Sequence, residues 1–249
     1  MTQVIAHRGA SRDERENTVA AFRAAAAQGA DGVELDVRRT ADERLAVHHD
    51  AHLPDGRAIV ATTWDDMPAH VPDLATALDA CRGLGTVNVE IKNWPDDVDF
   101  DETLVIVDTV VAALGDRPAD ERSTLLVSCF HLPTLDRVRA LAPALATAWL
   151  VIGPGVGPDA ETLRAEGDDP VAVTVAAVAE RGHRALHPHH AFVNADLVAT
   201  AHGAGVELNT WTVDDPQRLR WLADAGVDAV ITNTPADALA ALGRTRTPR

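Results

Sequence analysis

Short strand-like runs alternate with helix-like runs along nearly the whole chain, and this alternation constrains the fold more than any other feature. The strand-like runs are apolar and β-branched, and they are QVIAHR (3–8), GVELDV (32–37), TVNVEIK (86–92), TLLVSCF (124–130), ATAWLV (146–151), RALHPH (184–189), VELNTWTV (206–213) and VDAVITN (227–233). Helical patterns lie between most of them, as in residues 132–143 and 215–226. Eight strand–helix units predict a closed parallel (β/α)8 barrel, the TIM-barrel fold, with a doubly wound open sheet as the competitor.

The length of 249 residues fits a single barrel domain spanning residues 1–249. An additional strand-like run, RLAVHHD (44–50), follows the second strand and leads into a loop rich in Asp and Pro. We interpret residues 44–72 as a small excursion from the barrel. The last residues, GRTRTPR (243–249), are expected to form a frayed tail.

Composition excludes several classes of function. The net charge of -16 argues against binding to nucleic acids or to anionic membranes, which require basic surfaces. The two cysteines, Cys81 and Cys129, do not suggest a disulfide framework. The N-terminus lacks the features of a signal peptide, and no apolar run is long enough to span a membrane. These observations predict a cytoplasmic protein, a monomer or a homodimer, without stable membrane association.

The active site of such a barrel forms at the C-terminal ends of its strands. Polar residues occupy these ends in the sequence: His7 to Gly9, Glu34 and Asp36, Glu90 and Lys92, Ser128, His187 to His190, Asn209 and Trp211, and Thr232 with Asn233. Polar groups inside apolar strands cost free energy unless they are paired or used. The pattern therefore indicates a polar site at one end of the barrel.

The spacing of the acidic residues suggests a metal site. Residues two apart on a strand face the same side, so Glu34 and Asp36 share a face, as do Glu90 and Lys92. Three converging carboxylates repel each other unless a cation joins them, and a hard divalent ion, Mg²⁺ or Ca²⁺, fits best. Two simpler readings remain open: Glu34 and Asp36 as surface partners of Arg38 or Arg39, and Glu90 with Lys92 as an ion pair.

The remaining polar candidates are less specific. Lys92 is the only lysine in the chain, and a compact ammonium can approach a single phosphate oxygen as a point charge. His7 is either a functional residue or a structural residue at the end of the first strand. Strand alternation does not decide which of His48 and His49 faces the site. The run HPHH (187–190) matches no strong zinc pattern and is interpreted as a loop.

Several motifs together resemble the glycerophosphodiester phosphodiesterases. They are AHRGA, the stretch from ENT to the HD of HHD, VNVEIK, VSCF, VELNTWTV and VDAVITNTP, in the order typical of that family and covering about residues 4–236. The combination is far more specific than any single motif.

The resemblance implies a (β/α)8 barrel that hydrolyses glycerophosphodiesters to glycerol 3-phosphate and an alcohol. It assigns the roles of catalytic histidines to His7 and His49, and those of metal ligands to Glu34, Asp36 and Glu90. Phosphate or substrate contacts fall on Arg8, Lys92 and Trp211, and supporting positions on Glu16, Asn17 and Ser128. Either the glycerol 2-hydroxyl or water attacks the phosphorus.

Two departures from the family pattern affect what the resemblance implies. The loop from Asp50 to Pro72 is compact where the family commonly has a longer insertion, and Ser128-Cys129 stands where two serines are common. The alternatives are a lysophospholipase D-type activity on lysophospholipids and a barrel that binds glycerophosphodiesters without turnover. For Trp211, the simpler alternative to a substrate contact is that it packs in the core as a large apolar residue.

Overall fold

The computed structural model describes residues 1–244 and contains a closed barrel of eight parallel strands. These are β1 (Gln3–His7), β2 (Gly32–Arg39), β4 (Thr86–Ile91), β5 (Leu125–Cys129), β6 (Ala146–Val151), β7 (Ala185–Pro188), β8 (Glu207–Thr210) and β9 (Ala229–Thr232). Each strand pairs with its neighbours in this order, and β1 pairs with both β2 and β9. The last pairings close the sheet, so the (β/α)8 prediction is confirmed and the open sheet is wrong.

Helices surround the barrel. They are α1 (Val19–Gln28), α2 (Leu74–Ala80), α3 (Val105–Gly115), α4 (Ala119–Arg122), α5 (Leu132–Leu141), α6 (Pro158–Thr162), α7 (Pro170–Glu180), α8 (Ala195–Gly203), α9 (Pro216–Ala225) and α10 (Pro235–Ala241). The side chains of Asn194 and Asp215 accept hydrogen bonds from the first turns of α8 and α9. Such caps satisfy backbone N–H groups that have no partner within the helix.

The main core lies between the strands and the helices. Outward-facing strand residues such as Val33, Leu35 and Val89 belong to one large apolar cluster with Phe22 and Leu135 from the helices. No helix within residues 1–244 is long and apolar enough to cross a membrane. Of the predicted tail, residues 245–249 lie outside the described part, whereas the Arg244 guanidinium hydrogen-bonds to both carboxylate oxygens of Asp31.

The barrel interior is polar as well as apolar. Asn88, Ser128, His187 and Asn209 are all buried there, beside small apolar groups such as Ala148 and Ala185. Asn209 donates its Nδ2–H to His187 Nε2 over 2.9 Å. A cavity of about 310 Å³ opens at the N-terminal end of the strands and reaches Asn88, His187 and Asn209. The interior is therefore less densely filled than an apolar barrel core.

The excursion after β2 is confirmed. The strand β3 (Leu45–Val47) pairs antiparallel with the end of β2, with Val37 opposite Val47. Short 3₁₀ turns follow at Ile59–Ala61 and Trp64–Asp66. A small separate cluster of Ala46, Leu53, Ile59 and Val71 holds this segment together. The antiparallel pairing brings the loop after β3 to the C-terminal end of the barrel.

Arg38 links the excursion to the loop after β4. Its guanidinium is 2% exposed and bonds Asp99 and Asp97 at 2.6 and 2.9 Å, while its Nε donates to the carbonyl of His49. Arg39 instead pairs with Glu43 and lies 3.7 Å from Asp101. The reading of Arg38 and Arg39 as partners of Glu34 and Asp36 is therefore wrong.

Replacing Arg38 by Met is expected to lower the free energy of unfolding by about 3–5 kcal/mol, because Asp97 and Asp99 would lose their buried counter-charge. Arg137→Met is the matched control, since Arg137 is 42% exposed and pairs with Asp108 in solvent. Urea unfolding of both variants tests this. A similar stability for the two would show that the Arg38 network does not hold these loops.

The buried His187 predicts a pH-dependent stability. Burial lowers the pKa of His187 from 6.5 to about 3, so the folded imidazole stays neutral while the unfolded one takes up a proton below about pH 6.5. The contribution of His187 to the free energy of unfolding is therefore fully present above about pH 6.5. It decreases by about 1.4 kcal/mol for each pH unit below that value. Between about pH 6.5 and pH 5, we expect wild type to lose about 2 kcal/mol more than His187→Gln in urea unfolding. Parallel pH profiles would contradict this.

Candidate active site

Three carboxylates lie close together at the C-terminal end of the barrel. Glu34, Asp36 and Glu90 are 3%, 1% and 8% exposed, and one oxygen from each lies within 4.8 Å of the other two. Asp36 is opposite Glu90 in the pairing of β2 with β4, which places the two side by side. The i, i+2 spacing of Glu34 and Asp36 and the pairing of β2 with β4 thus bring the three predicted ligands together.

The electrostatics of this cluster favour a cation. Burial, followed by the charges of Asp36 and Glu90, raises the pKa of Glu34 well above its ordinary value. Glu34 Oε1 is buried without a hydrogen-bond partner among the described residues. An unpartnered buried oxygen beside two further carboxylates matches the donor set that Mg²⁺ and Ca²⁺ take, so the residues fit a divalent ion.

The end of β1 turns sharply to bring Arg8 over the carboxylates. Arg8 has a φ of 57°, in the left-handed region, and its backbone N–H donates to Glu34 Oε2 over 3.0 Å. Its guanidinium lies 3.3 Å from Asp36 and 3.1 Å from Glu16. Gly9 completes the turn at a φ of 84°, where a Cβ would come within 2.6 Å of Ala21.

The Glu16-Asn17-Thr18 segment supports the same cluster. Asn17, also left-handed at a φ of 56°, donates from Nδ2 to Asp36 Oδ2 over 2.7 Å. The Thr18 hydroxyl accepts from Ala21 and caps α1. Burial raises the pKa of Asp36. The charges of Lys92 and Arg8 and this hydrogen bond from Asn17 outweigh burial, so the pKa lies below its ordinary value. Strained backbone at two neighbouring site residues marks a functional region.

His7 is oriented by a polar relay from the end of the neighbouring strand β9. Its Nδ1 lies 2.7 Å from Asn233 Oδ1, and Asn233 donates from Nδ2 to Asp214. Because the amide oxygen accepts, Nδ1 carries the proton and Nε2, 3.9 Å from Glu34, presents a lone pair to the site. Burial and then the charge of Arg8 lower the pKa of His7 to about 4.

The structure separates the two adjacent histidines of the excursion. The backbone N–H of His48 donates to the carbonyl of Asp36, which fixes the loop at the barrel mouth. His49 lines the same cavity as Glu90 and Lys92, and its Nδ1 lies 2.7 Å from Asp50. His48 does not line that cavity; it lines a second one with Arg15 and His70, which His49 also borders.

Lys92 faces the carboxylates from β4. Its Nζ lies 2.7 Å from Glu90 and 3.7 Å from Asp36, and the side chain is 11% exposed. Burial opposes the charge, but Glu90 and Asp36 raise the pKa of this ammonium. The simple ion pair with Glu90 exists, and it lies within the site rather than apart from it.

A cavity of about 600 Å³ extends outward from His49, Glu90 and Lys92. Three aromatic side chains form part of its wall: Trp94, Phe130 and Trp211. Trp211 is half-buried and donates its Nε1–H to the carbonyl of His187 over 2.8 Å. It therefore lines the site and is not an ordinary core residue.

The other predicted positions lie deeper or farther away. Ser128 is fully buried opposite Glu90 in the strand pairing, and its Oγ has no hydrogen-bond partner within residues 1–244. His187 points into the barrel, whereas His189 and His190 stack with ring centroids 4.5 Å apart. Glu34, Asp36 and Glu90 are the one group of possible metal ligands within the described residues, so HPHH forms no such site there.

Sequence reasoning missed three contributors: Asp214, Arg38 and Trp94. Asp214 anchors Asn233, Arg38 ties two loops together, and Trp94 lines the cavity. Asp214 and Trp94 follow their strands by a few residues, a position that signals loop contact with a barrel site. Arg38 continues the Glu34–Asp36 face of β2, so the i, i+2 rule could have placed it.

Comparison with known proteins identifies a consistent set of relatives. The model of the "Glycerophosphoryl diester phosphodiesterase family" matches residues 7–237. A glycerophosphodiester phosphodiesterase of Caldanaerobacter subterraneus is 30% identical, over 94% of this chain and 95% of the relative. A phosphodiesterase structure from Oleispira antarctica, in complex with the product sn-glycerol-3-phosphate, aligns with a TM-score of 0.81 at 25% identity, covering 98% and 97% of the two chains. Lysophospholipase D from Rattus norvegicus is 35% identical over 34% of this chain and 29% of its own length.

The acidic cluster predicts opposite effects of Glu34→Gln with and without a metal ion. In EDTA the variant should melt at a higher temperature than wild type, because one of three mutually repelling buried carboxylates is gone. Mg²⁺ or Ca²⁺ at about 100 times Kd should stabilise wild type by about 2.7 kcal/mol and the variant much less. Thermal melts with and without ions measure both effects, with the exposed Glu102→Gln as control. Equal metal-induced shifts in all three proteins would contradict this assignment.

Proposed function

Since this chain belongs to the glycerophosphoryl diester phosphodiesterase family and is a phosphoric diester hydrolase, we propose that it hydrolyses glycerophosphodiesters to sn-glycerol 3-phosphate and an alcohol with a divalent metal and two histidines. The observation that carries the proposal is the buried group of Glu34, Asp36 and Glu90 beside His7, Arg8 and Lys92. The product named in the Oleispira antarctica structure supports the glycerol 3-phosphate half of the substrate.

Glu34, Asp36 and Glu90 would hold the metal ion. A bound Mg²⁺ or Ca²⁺ would supply Lewis-acid stabilisation of the charge on the phosphate and lower the pKa of a bound hydroxyl group. Arg8 and Asn17 fix Asp36, and the Arg8 backbone N–H fixes Glu34. These contacts hold the three carboxylates in place despite their mutual repulsion.

His7 is proposed to act as the general base. The relay from Asp214 through Asn233 keeps its Nδ1 protonated and leaves Nε2 free to accept a proton from the attacking hydroxyl. Attack by water or by the glycerol 2-hydroxyl forms the new P–O bond, while the bond to the head-group oxygen breaks. After attack by the 2-hydroxyl, a water molecule would open the cyclic phosphate to give glycerol 3-phosphate. Burial favours the neutral imidazole that this role requires.

His49 is proposed to act as the general acid. It lies in the cavity that leads outward from Glu90 and Lys92, where the departing alcohol oxygen would take up a proton. Asp50, 2.7 Å from Nδ1, orients the ring. Arg8 and Lys92 would place positive charge beside the phosphate oxygens, where negative charge develops in the transition state.

A second candidate activity is lysophospholipase D-type hydrolysis of lysophospholipids. Two apolar residues that line the large cavity, Val98 and Ile152, are 58% and 41% exposed, which leaves apolar surface available to an acyl chain. The partial match to a lysophospholipase D supports the same reading. The third alternative, a barrel that binds without turnover, is excluded because the family consists of hydrolases.

We expect the protein to release glycerol 3-phosphate from glycerophosphocholine with Mg²⁺ or Ca²⁺, and EDTA to abolish release. His49→Asn should lower kcat by about 10²–10⁴-fold, the usual contribution of a general acid. His48→Asn is the matched control and should keep wild-type kcat, because His48 does not line the cavity that contains His49, Glu90 and Lys92.

An enzyme-coupled assay of glycerol 3-phosphate measures each rate. Equal losses in His48→Asn and His49→Asn would remove His49 from the mechanism. Release of acyl-glycerol phosphate from lysophosphatidylcholine, with no turnover of glycerophosphocholine, would favour the second candidate activity.

A further inference from the structure

We propose that the 600 Å³ cavity selects a leaving alcohol that carries a quaternary ammonium group. The inference rests on the proposed function, since it concerns the half of the phosphodiester that departs. Trp94, Phe130 and Trp211 form an aromatic corner on the cavity wall, and Asp96 lies at its edge. This combination matches the recognition of methylated ammonium groups by aromatic rings.

The aromatic corner is built from mutually perpendicular rings. The centroids of Trp94 and Phe130 are 5.2 Å apart at 88°, and those of Phe130 and Trp211 are 5.6 Å apart at 89°. In each pair the edge of one ring meets the face of the other, and all three rings line the same cavity. A cation is attracted to a ring face within about 6 Å of its centroid, so a trimethylammonium group in the corner can contact several rings at once.

The orientation of two of these rings is fixed. Trp211 is held by the hydrogen bond to the His187 carbonyl and by an edge contact with His189. The Trp94 Nε1–H lies 3.3 Å from Asp96 Oδ2. A corner that is already ordered loses little conformational entropy when a ligand binds.

The fixed charges of the cavity wall also favour a cation. Its two permanent cations are already neutralised, Arg38 by Asp97 and Asp99 and Lys92 by Glu90. Asp96 is exposed and has no ion-pair partner among the residues that the structure describes. The outer wall therefore carries surplus negative charge next to the aromatic corner.

The position of the corner fits a leaving group. His49, Glu90 and Lys92 line the same cavity as the three rings, so a head group that departs next to His49 enters the corner. The exposed Val98 and Ile152 on the same wall can pack against N-methyl groups. A polyol head group needs hydrogen-bond partners that the ring faces do not provide.

The test compares kcat/KM for glycerophosphocholine and glycerophosphoglycerol. We expect at least about a tenfold preference for the choline ester, the size of a desolvated cation–π contribution. Trp94→Leu should lower kcat/KM for the choline ester about tenfold and change that for the glycerol ester by less than about twofold. Trp221→Leu, an exposed tryptophan on α9 outside the cavity, is the matched control and should change neither.

A second measurement does not depend on any variant. Choline should inhibit hydrolysis of glycerophosphoglycerol at least about tenfold more strongly than its neutral carbon isostere, in which a tert-butyl group replaces trimethylammonium. Equal inhibition, or equal kcat/KM for the two esters, would overturn the inference while leaving the hydrolase function intact. Absence of turnover of both esters with either metal would instead count against the proposed function itself.

Discussion

The mutual repulsion of three buried carboxylates is the constraint on which the rest of the barrel mouth depends. Glu34, Asp36 and Glu90 lie within reach of one ion, and each has a compensating contact. Lys92 neutralises Glu90, and Arg8 with Asn17 holds Asp36. The two left-handed residues, Arg8 and Asn17, adopt a strained backbone, and both donate hydrogen bonds to the carboxylates. The surrounding fold therefore stabilises an arrangement that three acids alone would not adopt.

A second network joins the parts of the site that lie on loops. Arg38 connects the carbonyl of His49 with Asp97 and Asp99, in the loop after β4 that also carries Trp94. The loops that carry the proposed acid and Trp94 are thus joined through one buried guanidinium. This coupling fixes the backbone of His49 within a compact excursion.

Much of the fold and of the site was predictable from local pattern. The eight strands were predictable because a buried parallel strand is a short apolar run between helical patterns. Glu34, Asp36 and Glu90 were predictable because side chains alternate along a strand with a period of two residues. Strand alternation could not decide between His48 and His49, since the answer depends on how β3 pairs with β2, and only the family resemblance favoured His49. Asp214 and Trp94 were missed for a related reason: loop conformation after a strand is set by tertiary contacts that no local period encodes.

The composition has a further consequence for how the molecule can be studied. Apart from the N-terminal amine, the side chain of Lys92 is the only amine in the whole sequence. It is 11% exposed and bound to Glu90, so amine-directed reagents meet it only through the cavity that it shares with His49 and Trp211. The chain thus carries a single side-chain amine, located where the substrate phosphate is proposed to bind, and a ligand that fills the barrel mouth would shield it from such reagents.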